Sequence, residues 1–299
     1  MAEITLLDGA IGQELVKRSG DRATPLWSTQ VMMDHPKLVG EVHLDYFNAG
    51  ASVATANTYA VLRDRLKRVG LENETGHLTQ TAVRAARKAR AAFGGAGRIA
   101  GSLGPLIASY RPDVFPPRAE ALDMYAEPVA AMKDHVDVFL IETASSVDHA
   151  EAALQAASGH GVPVWLAVSV DDFDGSKLRS SEPLLALKNT LERHRPDAVL
   201  VNCSRPEVVA TGLDTIKQFG LPFGAYANGF TKISDGFLDE FPTVDALEQR
   251  EDMGPETYAE IAMSWVAQGA TLVGGCCEIG PEHIAEIARR LRVAGHQIV

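Results

Sequence analysis

Eight short, almost continuously apolar runs recur along this chain and constrain its fold more than any other feature. They cover residues 4–10, 52–59, 98–105, 137–143, 163–170, 198–204, 222–228 and 270–277. A strand that is buried on both faces, as in a parallel sheet, has this pattern because neither face meets water. Segments of helical period lie between the runs, at 36–48, 75–93, 117–134, 147–159, 183–194, 206–219, 254–268 and 281–294.

Eight successive strand–helix units predict an α/β fold, a single (β/α)8 barrel of the TIM type. We expect one catalytic domain over residues 1–299, since barrels of this kind run to roughly 250 residues or more. A doubly wound open sheet is the alternative, although it rarely needs eight evenly buried strands. The longest irregular stretch, about 229–253 after strand seven, is predicted to be an insertion that serves as a lid or binding loop, or is mobile.

Charge and composition exclude several classes of partner. With 28 basic and 39 acidic side chains the net charge is −11, which argues against a nucleic-acid or anionic-membrane surface. The first residues do not resemble a secretory signal, and no stretch approaches 18 uninterrupted apolar residues, so we expect a cytoplasmic protein. Three cysteines are too few for a disulfide framework, which favours a reducing compartment.

All three cysteines fall at the carboxyl ends of predicted strands. Cys203 ends strand six, and Cys276 and Cys277 end strand eight. Alternate strands of a barrel point side chains into the same layers, so these thiols can converge. Three thiolates suit a soft tetrahedral metal, commonly Zn²⁺, and leave one position open for catalysis. The alternatives are small buried apolar residues, or a vicinal disulfide between Cys276 and Cys277.

Motifs at the same strand ends resemble those of the homocysteine S-methyltransferase family. They occupy residues 7–15, 26–28, 43–46, 49–51, 56–59, 101–105, 142–143, 201–203 and 274–277, followed by 281–284. The resemblance spans nearly the whole chain, and the three-cysteine pattern is its specific part. The chain departs from the family pattern at 278–280, at Ala227 and in the tract after Asn228.

The resemblance implies a zinc-dependent methyltransferase. Cys203, Cys276 and Cys277 would hold the zinc as catalytic residues, and the sulfur of L-homocysteine would take the fourth position as a thiolate. That thiolate would accept a methyl group from a cationic donor of the S-methylmethionine or S-adenosylmethionine type, giving methionine. The partners expected are these small molecules, with no nucleic acid and no membrane; the oligomeric state is left open.

The resemblance also implies how homocysteine would be held. Asp8 and Glu142, at strand ends one and four, would take its ammonium group, and the backbone N–H groups of Gly9 and Ala10 would meet its carboxylate. For Asp8 the alternative is a turn residue or helix cap. For Glu142 it is a salt bridge at the rim.

Trp27 is the candidate for the donor site, because an indole face attracts a methylated cation. Ordinary packing is the alternative for this residue. Tyr59 and Asn228 are weaker candidates for the same site. Asn202 could orient the Cys203 thiolate or the substrate, and Asn57 could satisfy a hydrogen bond at a strand end.

Three other functions remain open at this point. The same zinc–thiolate chemistry could act on another thiol or a selenol, or with a betaine-like donor. A non-catalytic zinc-binding barrel is a second possibility. The third is a barrel enzyme that binds phosphate at Gly274 and Gly275, which would leave the adjoining cysteines unexplained.

Overall fold

The computed structural model describes residues 1–21, 24–231 and 249–299. Each of the eight predicted apolar runs overlaps one strand. The strands are β1 (Glu3–Leu6), β2 (Val53–Thr55), β3 (Arg98–Leu103), β4 (Val138–Ala144), β5 (Val164–Val168), β6 (Ala198–Asn202), β7 (Phe223–Ala227) and β8 (Leu272–Gly275). A further short strand near the carboxyl terminus, β9 (Gln297–Ile298), was not predicted and pairs with β1.

The helices follow the predicted segments, with three additions. The predicted ones are α3 (Pro36–Ala49), α5 (Thr75–Ala92), α6 (Arg118–Met132), α7 (Val147–Ala157), α8 (Lys188–His194), α9 (Pro206–Ile216), α10 (Pro255–Ala267) and α11 (Pro281–Val293). The additions are α1 (Ile11–Ser19), α2 (Ser28–Asp34) and α4 (Arg63–Lys67). All three are short, and periodicity carries little signal over one or two turns.

The strands form one parallel sheet in the order β2-β3-β4-β5-β6-β7-β8-β1-β9. This is the strand order of the predicted barrel, cut between β1 and β2. In the part of the chain that the structure describes, no backbone ladder joins these two strands. The barrel prediction is therefore confirmed in part: the α/β class and the curled parallel sheet are present, and ladder closure is not.

One backbone hydrogen bond and several side-chain hydrogen bonds span the gap between β1 and β2. The Ser52 N–H donates to the Leu6 carbonyl at 2.7 Å, and the Leu6 N–H donates to the Ser52 Oγ at 3.0 Å. One step along, Thr55 donates its N–H and its hydroxyl to the two carboxylate oxygens of Asp8, at 2.6 and 2.7 Å. Ser52 and Asp8 thus satisfy polar groups that a ladder would otherwise pair.

Two layers of apolar side chains lie on the two faces of the sheet. Along β4, Phe139 and Ile141 join the large cluster between sheet and helices, whereas Val138 and Leu140 join a smaller cluster on the inner face. This alternation follows from the two-residue period of a strand. It also determines which residues at the carboxyl ends of the strands face inward.

The predicted insertion at 229–253 lies mostly outside the described residues. At its two ends, Phe230 and Gln249 form an antiparallel bridge, and the Arg250 N–H donates to the Gly229 carbonyl at 2.9 Å. The two ends of the segment therefore meet beside β7. Within the described ranges, no helix has the length and apolarity needed to cross a bilayer.

Candidate active site

The carboxyl ends of β4, β6 and β7 place polar side chains on the inner face of the sheet. Val138 and Leu140 belong to the inner core, so Glu142 is the next residue on that face. The same alternation puts Asn202 of β6 and Tyr226 of β7 on the inner face. All three side chains are buried.

A pocket opens at this end of the sheet. The strand ends and the turns after them contribute Asp8, Gly9, Ala10, Glu142, Cys203, Tyr226, Cys276 and Cys277 to its lining. The loops and helices beyond the sheet contribute Trp27, Tyr59, Arg65, Arg68, Ser109 and Tyr110. Among the residues predicted for the site, Asn202 and Asn228 do not line the pocket.

The three cysteines meet, as their positions at the strand ends predicted. The Sγ atoms of Cys203 and Cys276 lie 2.6 Å apart, and Cys277 packs in the same small cluster with Tyr110 and Phe230. All three are free thiols, so the vicinal pair is not joined by a disulfide. Sulfur from two strands is therefore concentrated at one point of the pocket wall.

The environment favours one thiolate among the three sulfurs. Burial raises the pKa of Cys203, but hydrogen bonds from Cys276, Cys277, Thr143 and Tyr110 together bring this pKa well below its usual range. The pKa values of Cys276 and Cys277 are raised, chiefly because these thiols share hydrogen bonds with Cys203. The pKa shifts of Cys203 and of the other two thiols thus have opposite directions.

The donor chemistry of this cluster fits a soft metal ion, but its spacing is tighter than a metal requires. Two sulfurs that share a tetrahedral Zn²⁺ with Zn–S bonds of ~2.3 Å lie ~3.8 Å apart. The Cys203 and Cys276 sulfurs are closer than that. Correspondingly, no group of three His, Cys, Asp or Glu side chains in the described ranges is spaced to hold a metal. The sulfurs would have to move apart by about 1 Å to bind one.

Left-handed backbone conformations accumulate around the sulfurs. Tyr110, Thr143, Cys203 and Glu278 have φ values of 63°, 61°, 46° and 66°. Such values are costly for a β-branched residue such as Thr143, and they tend to occur where a site holds them in place. At Cys203 the positive φ ends the strand and turns the side chain out of the alternation that Asn202 follows.

Asp8 lies in the gap between β1 and β2 and is buried. Burial raises its pKa to about 7, against the hydrogen bonds that it accepts from Thr55. The helix α1 that follows has no side-chain cap, so Asp8 is not its cap residue. In the described part of the chain it forms no ion pair with a basic side chain.

Glu142 is the second buried carboxyl group of the pocket. Burial, together with the charge of Cys203, raises its pKa to about 8, while hydrogen bonds from Ser102 and Tyr226 act in the opposite direction. The Tyr226 hydroxyl donates to Oε1 at 3.0 Å, and the Ser102 hydroxyl donates to Oε2. No ion pair of Glu142 is found among the described residues, so the salt-bridge alternative is not what the structure shows. Two buried carboxyl groups without a cation are suited to receive an ammonium group.

The turn after β1 corrects one expectation. The Ala10 N–H already donates to the Ile279 carbonyl at 2.9 Å, so it is not available to a substrate carboxylate. That predicted role remains with Gly9 alone. A Cβ at Gly9 would lie 2.0 Å from the same Ile279 oxygen, so this position requires glycine.

Trp27 and Tyr59 form an aromatic wall of the pocket. Their rings meet edge to face, with centroids 6.1 Å apart. A Cβ at Gly12 would lie 2.7 Å from the Trp27 ring, so the indole packs directly on this glycine. The indole N–H is buried and lacks a hydrogen-bond partner in the described part of the chain. The Tyr59 hydroxyl is hydrogen-bonded to the Ser109 hydroxyl at 2.8 Å.

The three asparagines at strand ends differ in their contacts. The Nδ2 of Asn202 lies 3.4 Å from the Cys203 Sγ, and its Oδ1 accepts from the Thr143 N–H at 3.0 Å, consistent with an orienting role. Asn57 exchanges hydrogen bonds with Ser28, as expected of a strand-end residue. The Asn228 side chain is fully buried, and neither of its polar atoms has a hydrogen-bond partner in the described ranges.

Several residues of the site were not found from the sequence. Tyr226 could have been found, because it occupies the inner-face position of β7 one step below the strand end. Tyr110 and Ser109 lie on the loop after β3, where no periodic pattern reports side-chain direction. Arg65 belongs to the short helix α4, which was itself missed.

Comparison with known proteins identifies the family of this chain. Residues 5–291 match the sequence profile of the homocysteine S-methyltransferase family. A homocysteine S-methyltransferase of Escherichia coli is 30% identical to this chain in an alignment of 316 positions, which covers 96% of this chain and 95% of the relative. A selenocysteine methyltransferase of Astragalus bisulcatus is 25% identical, covering 96% of this chain and 92% of the relative.

A solved structure agrees over the same extent. The metallated form of the homocysteine methyltransferase MmuM from Escherichia coli superposes with a TM-score of 0.81 at 28% identity, and the match covers 96% of each chain. The structural similarity therefore extends over nearly the whole chain.

Proposed function

Because this chain belongs to the homocysteine S-methyltransferase family and is a methyltransferase, we propose that it moves a methyl group from a cationic donor to the sulfur of L-homocysteine. The donor would be of the S-methylmethionine or S-adenosylmethionine type, and the product methionine. The observation that carries this proposal is the meeting of three thiols from β6 and β8 beside two buried carboxyl groups.

We infer that Cys203, Cys276 and Cys277 hold a zinc ion. The donor set supports this assignment, as does the metallated form of the Escherichia coli relative. Bound zinc would keep the homocysteine sulfur ionised near neutral pH, where a free thiol with a pKa of ~8.5 is mostly protonated. Asn202 would hold the Cys203 sulfur in place through its Nδ2.

Asp8 and Glu142 would bind the homocysteine ammonium group. Each oxygen of these carboxylates accepts one hydrogen bond at present and keeps a lone pair for another. An ammonium group between them would favour their ionised forms and offset the cost of their burial. The Gly9 N–H would meet the substrate carboxylate.

Trp27 and Tyr59 would receive the methylated cation of the donor. An aromatic face stabilises such a cation and also excludes water from the path of the methyl group. During transfer the new S–C bond forms at homocysteine, and the electron pair of the broken bond returns to the donor sulfur, which becomes a neutral thioether. Holding both reactants in line lowers the entropic part of the activation barrier for methyl transfer.

The hydrogen bonds between β1 and β2 also bear on whether the sheet closes. We propose that the sheet closes into a (β/α)8 barrel through Ser52 and Asp8, and that residues 1–299 act as one catalytic domain. Free thiols at the site are consistent with a reducing compartment such as the cytoplasm.

A selenol is the second acceptor to consider. The similarity to a selenocysteine methyltransferase favours it, and a selenolate can take the place of a thiolate in the same reaction. The two functions differ only in which acceptor has the higher kcat/KM.

A donor and acceptor screen tests the proposal. Zinc-loaded protein is mixed with homocysteine and, in turn, S-methylmethionine, S-adenosylmethionine or betaine, and methionine is quantified. We expect turnover with a sulfonium donor. A higher kcat/KM for selenocysteine would favour the second function. Zinc-loaded protein that is silent with every donor would overturn the proposal and favour a non-catalytic zinc barrel.

A further inference from the structure

The pocket is lined by two carboxyl groups and by two guanidinium groups. Asp8 and Glu142 lie at the strand ends beside the cysteines, whereas Arg65 and Arg68 line the pocket from α4 and the turn after it. The substrate groups assigned so far do not use a cation at the arginine side. Because the proposed homocysteine and Zn²⁺ sites lie at the strand ends, the Arg65 guanidinium is the cation of the pocket that remains to be assigned to the second substrate.

Arg65 is held in place by neutral groups. Its Nη2 donates to the Pro105 carbonyl at 2.9 Å and to the Ser109 hydroxyl at 3.2 Å, and its guanidinium lies 5.5 Å from the centroid of the Tyr59 ring. Its Nε is buried and has no hydrogen-bond partner in the described ranges. A buried charged donor without an acceptor is costly, and a bound anion would remove that cost.

Arg68 stands next to this position. Its Nη2 donates to the Ile107 carbonyl at 2.7 Å, on the same loop that Arg65 contacts. Together the two arginines place positive charge beside the loop at 105–110. Their fixed contacts with that loop orient the guanidinium groups before any ligand arrives.

The position of Arg65 against Tyr59 indicates what kind of ligand would fit. Tyr59 shares the aromatic wall with Trp27, which would receive a methylated cation. A ligand that reaches both the wall and Arg65 therefore carries a cation and an anion. Because Nη2 already donates to Pro105 and Ser109, the Nε and Nη1 groups of Arg65 are the donors left for a carboxylate, and such charged hydrogen bonds are strong.

We propose that Arg65, assisted by Arg68, binds the carboxylate of the methyl donor, and so selects a zwitterionic sulfonium over a simple onium cation. This inference rests on the proposed function. The homocysteine carboxylate is the other possible source of such an anion, and we assign it to Gly9 because its ammonium group lies with Asp8 and Glu142. An arginine that only fixes the loop is the structural alternative.

The test compares two donors that differ in one group. S-methyl-L-methionine and 3-aminopropyl(dimethyl)sulfonium share the sulfonium and the ammonium group, and only the first has a carboxylate. Binding of each to the zinc-loaded protein is measured by calorimetry, and the KM of each donor and of homocysteine by methionine formation. We expect Arg65→Gln to weaken the binding of S-methylmethionine roughly ten- to a hundredfold. The binding of the second sulfonium and the KM of homocysteine should not change.

Arg63→Gln is the matched control, because it removes the same charge from the same helix. Arg63 pairs with Glu127 and does not line the pocket, so both donors should bind as in the parent protein. Arg65→Lys keeps the charge without the planar guanidinium and should give an intermediate loss of S-methylmethionine binding. Thermal unfolding of each variant reports whether it is folded.

Three results would overturn the assignment. If Arg65→Gln weakened the binding of both sulfoniums equally, the residue would only support the aromatic wall and the loop. A raised homocysteine KM with unchanged donor binding would assign the carboxylate to the acceptor. Equal binding of both sulfoniums to the parent protein would also contradict it. Since calorimetry needs no turnover, a protein that binds with this selectivity yet forms no methionine would count against the proposed function alone.

Discussion

The two ends of the pocket are built in different ways. At the sulfur end, Glu142 lies on β4 and Tyr226 on β7, and Cys203 and Cys276 are the first residues after β6 and β8. At the aromatic end, Trp27 and the other lining residues come from loops and short helices. Strands fix side-chain direction through their two-residue period, whereas loops do not. We therefore expect chemistry common to the family at the sulfur end, and selection of the donor at the aromatic end.

The sharpest test of this difference is the loss of a sulfur. Cys276→Ser should remove most of the bound zinc and reduce methionine formation by more than the ~10–100-fold that loss of an outer contact to a metal ligand costs. Metal analysis and initial rates on reduced protein measure both effects. A variant that retained a full equivalent of zinc would remove Cys276 from the ligand set.

The next test addresses the substrate side of the sulfur end. Glu142→Gln should raise the homocysteine KM roughly tenfold or more, because a charged hydrogen bond to the ammonium group is lost, and should leave the donor KM unchanged. Glu127→Gln is the control, since Glu127 pairs with Arg63 outside the pocket. An unchanged homocysteine KM in Glu142→Gln would refute the ammonium role.

The aromatic end can be perturbed without touching a polar group. Gly12→Ala would place a methyl group 2.7 Å from the Trp27 ring, so the indole must move. We expect the donor KM to rise about tenfold, as cation–π contacts worth ~1–2 kcal/mol are lost, with the homocysteine KM retained. Gly40→Ala on α3 is the matched control, because nothing lies within 4 Å of a Cβ there. Steady-state kinetics on both variants measure the two KM values. A rise in both the donor KM and the homocysteine KM in Gly12→Ala would contradict separate binding of the two substrates.

The smallest effect on catalysis is expected far from both ends, at Glu151 on α7. This buried carboxylate accepts hydrogen bonds from Thr190 at 2.8 Å and Arg118 at 2.8 Å, and contacts Arg193 and His194. Burial would raise its pKa, but these partners lower it to about 2. Glu151→Gln should leave both KM values unchanged and lower the free energy of unfolding by about 1–3 kcal/mol at pH 7.

The loss of stability in Glu151→Gln should depend on pH, because the pKa of Glu151 is lowered in the folded protein. A carboxylate whose pKa is lower in the folded state stabilises the fold above its unfolded pKa, ~4.3, and loses this contribution as pH falls toward 2. The difference in unfolding free energy between the parent protein and Glu151→Gln should therefore shrink over that range. A difference independent of pH, measured by denaturant titration, would argue against a charge effect.

The sequence allowed the fold to be predicted where one pattern repeats. Eight buried runs and eight amphipathic segments led to β1–β8 and to eight of the helices, because burial on both faces leaves a continuous apolar signature. The gap between β1 and β2 could not be foreseen. There Ser52 and Asp8 replace a ladder through specific hydrogen bonds, and no periodicity encodes such contacts.

At the site, too, residues on patterned strands could be predicted and specific long-range contacts could not. Cys203, Cys276 and Glu142 were found because they end recognisable strands. The Ala10 N–H was assigned to the substrate although Ile279 already accepts it, since a partner 269 positions away in the chain leaves no local signal. Arg65 was missed for the reason that α4 was missed: one short turn of helix has too few residues to show a period.

X-ray absorption at the zinc edge, with and without homocysteine, tests the central claim most directly. The account predicts three sulfur ligands at ~2.3 Å in the zinc-loaded protein, rising to four when homocysteine is added. Fewer than three sulfurs, or a ligand shell that does not change with homocysteine, would contradict it.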